Sequence, residues 1–247
     1  MRRASLWLIV LSVAGAGCGS SATSPSTTIN TSLTQNFVGT LATSGNAFFS
    51  FAVDQSTTVS LTFASLVNTG SGAVLGSGLK LGLGIPAGVG CSLLTSTTAT
   101  PALTAQVVAP LDPGTYCASL TDTAGLPASA DFAIRITQGT PDLTANSSPE
   151  TFASQVGPTG AATQTAVAPT AGIVTATLSS STSNTTLGLG LGLWVTETSS
   201  CKVTQATVAG PGAQVSLPVD IGVYCVKIFD PATLPGFVSF SVTITHP

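Results

Sequence analysis

The sequence predicts an all-β chain: two tandem antiparallel β-sandwich domains, jelly-roll-like, with one disulfide each, behind an export signal. Three observations carry this expectation. The stretch DPGTYCASLTDTAGLP (112–127) returns as DIGVYCVKIFDPATLP (220–235), with Asp, Gly, Tyr, Cys, Asp, Leu and Pro at a constant offset of 108 residues. Apolar and polar residues alternate with period two rather than 3.6 through both halves, punctuated by Gly, Pro, Asn and Asp. Setting aside Cys18, the cysteines are Cys91, Cys117, Cys201 and Cys225, one pair in each copy of the repeated stretch.

Taken in order, Met1-Arg2-Arg3 precedes an uncharged apolar stretch from Ala4 to Gly17. A basic start, a short apolar core and small residues before a cut make an export signal over residues 1–17. The run is too short for a comfortable transmembrane helix, and no later run of about 18 apolar residues occurs. Ala16-Gly17-Cys18-Gly19-Ser20 resembles the lipobox of bacterial lipoproteins, departing from it at Gly15, where an aliphatic residue is usual. That resemblance implies acylation of Cys18 and a lipid anchor in the membrane. Ser20 after Cys18 resembles lipoproteins sent to an outer membrane. Residues 18–35 are rich in Ser and Thr and carry no charge, the composition of a tether.

Two repeats of about 100 residues follow, each the usual size of one sandwich domain. Repeat one is expected over 36–139, a Pro-flanked linker over 140–150, and repeat two over 151–247. FFSFAV, TVSLTF, LKLGLGI and FAIRIT read as strands of the first, answered by TQTAV, IVTATL, LGLGLGL and FSVTIT in the second. Exported chains meet an oxidising environment, so pairing within each repeat is the natural reading among the three connectivities open to four cysteines. A zinc site lacks both a C-x-x-C knuckle and a nearby histidine.

Asp-x-Gly-x-Tyr places a turn before a strand that opens on Tyr, much like the tyrosine corner of immunoglobulin-type sandwiches. Alternation puts Tyr224, Val226 and Ile228 on a core face and Cys225 and Lys227 on the outer one, with Tyr116, Ala118 and Leu120 opposed to Cys117 and Ser119 in repeat one. With Tyr and Cys adjacent, each disulfide is expected to staple neighbouring strands outside the core. Gly39-Thr40-Leu41, Phe49–Val53, Leu111–Tyr116 and Phe132–Ile136 together resemble the motifs of the bacterial pre-peptidase C-terminal domain, a small β-sandwich attached to secreted enzymes. Repeat two keeps Gly222-Val223-Tyr224 and Phe240–Ile244. The Asp-rich strand common in that family is replaced by Leu79–Leu83 and Leu187–Leu191, which removes any metal ligation by those carboxylates.

In the Leu-Gly strand, Leu187, Leu189, Leu191 and Leu193 face one way and Gly188, Gly190, Gly192 and Trp194 the other. A bare glycine strip beside the only Trp after Cys18 suits a flat groove for a sugar or a peptide strand. The competing expectation is that a neighbouring strand or Trp194 packs over the glycines. No helix follows, so the strip is not a dinucleotide loop.

Beyond Cys18 the chain keeps Lys80, Arg135, Lys202 and Lys227 against nine carboxylates, a net charge of −5. So few cations offer no footprint for nucleic acid. The single histidine, His246, is penultimate and expected on a mobile tail, which leaves no site for a Ser–His–Asp arrangement. Asp112, Asp122, Asp220 and Asp230 flank strands at separations too large for a glycosidase pair and are expected to bond their own turns. The expected protein is thus a non-enzymatic, envelope-anchored surface lipoprotein that binds a glycan or a protein, without cofactor or metal. The alternative is a structural or accessory spacer with no small ligand; the oligomeric state is open.

Overall fold

The computed structural model describes residues 32–144 and 147–247. Both expected repeats are eight-stranded, and every strand pair is antiparallel. In the first, β1 (Leu33–Leu41), β2 (Asn46–Val53), β3 (Thr57–Asn68), β4 (Leu79–Ala87), β5 (Gly90–Ala99), β6 (Val107–Leu111), β7 (Gly114–Thr121) and β8 (Ala130–Gln138) form sheets of order β1-β8-β3-β6 and β2-β7-β4-β5. In the second, β9 (Glu150–Val156), β10 (Ala161–Ala168), β11 (Gly172–Ser181), β12 (Leu187–Val195), β13 (Ser200–Ala209), β14 (Gln214–Val219), β15 (Gly222–Phe229) and β16 (Val238–Thr245) repeat that order as β9-β16-β11-β14 and β10-β15-β12-β13. First strand beside last, and third between last and sixth, is the double Greek key of a jelly roll.

Strand boundaries shift two expectations. β1 begins inside the expected tether, where Leu33, Thr34 and Gln35 pair with Gln138, Thr137 and Ile136. β9 begins at Glu150, inside the expected linker, opposite Ile244. Cross-strand hydrogen bonding decided both, and residue type at the strand ends did not signal it.

The alternation expected from sequence holds on the central strands. Leu79, Leu81, Leu83, Ala118, Leu120, Phe132, Ile134 and Ile136 meet in one core, and Leu187, Leu189, Leu191, Tyr224, Val226, Ile228, Val242 and Ile244 in the other. Each fully buried Leu or Ile stabilises the fold by about 1.5–3 kcal/mol relative to exposure. The two tyrosine corners form as expected: Tyr116 Oη donates to the Asp112 carbonyl at 3.0 Å and Tyr224 Oη to the Asp220 carbonyl at 2.6 Å. Both disulfides pair within a repeat, Cys91 with Cys117 and Cys201 with Cys225.

The bridged strands are not neighbours, however, and the last glycine of each Leu-Gly strand explains how they meet. Within the sheet, β4 lies between β5 and β7, and β12 between β13 and β15. Strands flanking a third should stand about 9.5 Å apart, yet the Cα atoms of the bridged cysteines are 5.9 and 5.7 Å apart. A β-bulge at Leu83/Gly84, repeated at Leu191/Gly192, turns the edge strand over the middle one. Gly84 sits opposite Cys117 and Gly192 opposite Cys225. A Cβ at either glycine would collide with the carbonyl of Ser92 or Lys202, so the close approach requires glycine there. The face expected to be outer is therefore covered, and Cys117, Ser119 and Cys225 are buried.

Candidate functional site

The acylation expected at Cys18 lies outside the described residues. The groove expected at Gly188, Gly190 and Gly192 is filled: the Phe229 ring lies over Gly188, Val203 over Gly190, and the β13 backbone over Gly192. All three glycines are buried, and only Trp194 of that set is partly exposed. His246 is not on a loose tail. It follows β16, which is held between β9 and β11, and its ring is fully buried. Its Nε2 lies 2.8 Å from Glu150 Oε1 and its Nδ1 3.2 Å from the Pro247 carbonyl. Ser148 Oγ accepts from the His246 backbone N–H rather than facing the ring, so the three residues do not align as a nucleophile and its base.

The carboxylates divide into two roles. Asp122 accepts from the N–H groups of Ser44, Ala124, Gly125 and Leu126, and Asp230 from those of Thr159, Thr233 and Leu234, as turn residues should. The N–H donors of Leu126 and Ser44 hold the Asp122 carboxyl below the usual range, and that of Thr159 does so foremost for Asp230. Asp112 and Asp220 do not bond their own turns as expected. Asp112 accepts from Ser56 Oγ at 2.9 Å, and Asp220 from the Ala105 N–H of the other sandwich at 2.7 Å.

That second contact belongs to a junction built around a residue whose part the sequence did not reveal. Arg135 lies mid-strand in β8 between Ile134 and Ile136, which point into the core, so its side chain leaves the opposite face. There it meets the second sandwich and is 3% exposed. Its guanidinium donates to Tyr224 Oη at 3.1 Å and to the Leu103 carbonyl at 3.3 Å, and lies 5.3 Å from the Tyr224 ring centroid. Gly222 leaves the space that the guanidinium fills. Burial pushes the Tyr224 hydroxyl up, with the Arg135 charge opposing. No carboxylate pairs with Arg135 among the described residues, and its Nε has no hydrogen-bond partner there. The one available signal was a cation inside an otherwise apolar alternating strand, FAIRIT.

Around Arg135 the junction is hydrogen-bonded and partly buried. Ser65 Oγ donates to the Val203 carbonyl at 2.6 Å and Thr204 Oγ1 to the Ala64 carbonyl at 2.5 Å, and Ala64 and Leu103 join the core of the second sandwich. Beside it opens a cleft of about 370 Å³, lined by Asn36, Arg135, Leu193, Trp194 and Glu197 among others. Asn36 Nδ2 donates to Glu197 Oε2 at 3.2 Å across the junction, and Asn36 Oδ1 is buried without a partner.

Comparison with known proteins adds little to this geometry. No protein-family model matches the chain. No curated protein matches it either. Among solved structures, the chain is similar to one from the atomic structure of Sulfolobus turreted icosahedral virus, at 10% identity and a TM-score of 0.28, over 87% of this chain and 92% of that one. It is also similar to a chain from a structure described as the triple jelly-roll fold and turret assembly of an archaeal virus, at 14% identity and a TM-score of 0.23, over 85% and 59%. The jelly roll itself is defined by strand order, β1-β8-β3-β6 over β2-β7-β4-β5 and its repeat in the second half.

Proposed function

We propose that this protein is a non-enzymatic, envelope-anchored lipoprotein whose two jelly rolls act as a binding module for a glycan. The disulfides put the folded chain in an oxidising compartment, outside the cell or in a periplasm. Anchoring at Cys18 rests on the lipobox resemblance, and the pre-peptidase C-terminal resemblance on its short structural motifs. The observation that carries the binding reading is the cleft at the junction. At about 370 Å³ it lies at the lower end of the range of small-molecule sites, roughly 300–1,000 Å³. The Trp194 side chain offers an apolar wall for a sugar ring. Asn36 Oδ1, buried without a partner, and the Glu197 carboxylate offer acceptors for its hydroxyls, which suits a neutral sugar.

With Trp7 removed in the signal, Trp194 is the only indole left and reports binding directly. Titration with neutral oligosaccharides is expected to shift its fluorescence, uronate ones less so because of the Glu197 carboxylate, and Trp194→Ala to abolish retention on the same polysaccharide. Unchanged fluorescence across both classes, with retention intact in Trp194→Ala, would remove the glycan reading. A spacer without a small ligand is the second reading, favoured by the buried hydrogen bonds that dock the two sandwiches.

A further inference from the structure

We propose that the chain assembles head to tail with further copies of itself, reusing on its two outer ends the contact that joins its own two halves. In that internal contact, the edge strand β13 of the second sandwich lies on the outer face of β3 in the first, next to its bulge at Phe63/Ser65. Because the chain is a tandem repeat, each partner in the contact has a counterpart. The counterpart of β13 is β5, the edge strand of the first sandwich, and that of β3 is β11 in the second. Both counterparts carry exposed residues, Leu93 and Leu94 on β5 and Ser179 and Ser180 on β11.

Register makes the equivalence residue by residue. Gly84 pairs with Leu93 and Leu83 with Thr95, leaving Leu94 as the bulged residue; Gly192 pairs with Val203 and Leu191 with Gln205, leaving Thr204. Leu93-Leu94 therefore occupies the place of Val203-Thr204. The bulge in β3 between Phe63 and Ser65 recurs in β11 between Leu178 and Ser180, so Ser180 takes the place of Ser65. Val203 and Thr204 are 9% and 5% exposed at the internal junction, whereas Leu93 and Leu94 are 37% and 58% exposed. Leu193, at 1%, lines the junction, and its counterpart Ile85 stands at 48%. The positions that the internal contact buries are, in the first sandwich, exposed and apolar.

Neither free surface carries the charges that usually blunt a sheet edge. No charged residue occurs between Lys80 and Asp112, or from Thr151 to Thr196. Ser180 is exposed and placed to donate to the Leu93 carbonyl of the next copy, as Ser65 donates to that of Val203. Thr243 stands where Arg135 stands in the first sandwich, so the copied contact lacks the buried cation and Leu94 lacks the Thr204 hydroxyl. The contact between copies is accordingly weaker than the internal one and reversible. It is heterologous, β5 of one chain on β11 of the next, so it propagates rather than closing on a dimer.

The test is sedimentation of the full chain in density-matched detergent, from micromolar to near-millimolar concentration. The wild type is expected to show a mass that rises with concentration. Leu94→Asp and Ser180→Asp each bury an unpaired charge in the contact and are expected to weaken association more than about tenfold. Both residues are exposed, so each variant should melt at the wild-type temperature. The decisive arm is the mixture. Leu94→Asp keeps an intact β11 and Ser180→Asp an intact β5, so an equimolar mixture should form dimers and stop there. A wild type monomeric throughout would overturn the proposal. So would association that survives Ser180→Asp but not Leu94→Asp, the pattern of edge-to-edge pairing, or a mixture that stays monomeric.

Discussion

Replacing Gly192 by Ala tests the account of the disulfide cover most directly. An added Cβ would overlap the Lys202 carbonyl and stand 2.7 Å from Val203 Cα, both backbone atoms of β13. Relief requires β13 to withdraw, against the pairs Gly192↔Val203, Leu193↔Lys202 and Trp194↔Cys201 that fix it over β12. Overpacking of this kind costs about 1–3 kcal/mol, and one or two lost ladder hydrogen bonds add about 1 kcal/mol each. The sum, about 2–5 kcal/mol, compares with a domain stability of about 5–15 kcal/mol and lowers the melting temperature by roughly 10–30 °C at the sensitivity of a 100-residue domain. It also opposes the Cys201–Cys225 bond, whose loop, 24 residues by sequence separation, is worth about 3.5 kcal/mol from loop-closure entropy. Gly190→Ala is the control, since there the Cβ meets the Val203 side chain at 3.0 Å, which can give. Urea unfolding of the oxidised proteins is the assay, with free-thiol titration alongside. Equal midpoints for Gly190→Ala and Gly192→Ala would show that β13 does not need glycine at 192 to cross β12.

Four further outcomes are expected. Arg135→Ala removes the donor to Tyr224 Oη and leaves the Leu103 carbonyl only the Tyr224 hydroxyl, at 3.4 Å; calorimetry should show a loss of about 2–4 kcal/mol and two separated transitions in place of one. The lowered carboxyls of Asp122 and Asp230 stabilise the fold above their unfolded value of about 3.9, and that contribution should fade as pH falls from there through the folded values, so both Asn variants should flatten the acid limb of a stability-against-pH curve. The raised Tyr224 hydroxyl contributes stability below about pH 10 that is lost as pH rises through its folded value; phenolate absorbance should show this tyrosine titrating above the ordinary range, and Tyr224→Phe should remove the step. Cys18→Ser is expected to release the protein from the membrane fraction with both sandwiches intact, and an unmodified wild-type amino terminus in mass spectrometry would refute the anchor.

Whatever depends on period and on repetition was legible in the order of residues alone. Leu79, Leu81, Leu83 and their counterparts Leu187, Leu189 and Leu191 could be assigned inward because side chains alternate along a strand whatever it packs against. The tyrosine corners and the pairing of Cys91 with Cys117 and Cys201 with Cys225 were legible because one local pattern occurs twice at a fixed offset. Strand order, the crossing of β5 over β4 and the docking of the two halves depend on which surfaces meet, and contacts between distant residues leave no period in the chain. Gly192 reads in sequence as a gap in a groove and in the fold as the point where β13 crosses. Arg135 shows the same limit: four positions spell an apolar alternation around one cation, but only the arrival of Leu103 and Tyr224 makes that cation the bolt between the sandwiches. Burying a charge needs partners from elsewhere in the chain, and tertiary structure alone brings them.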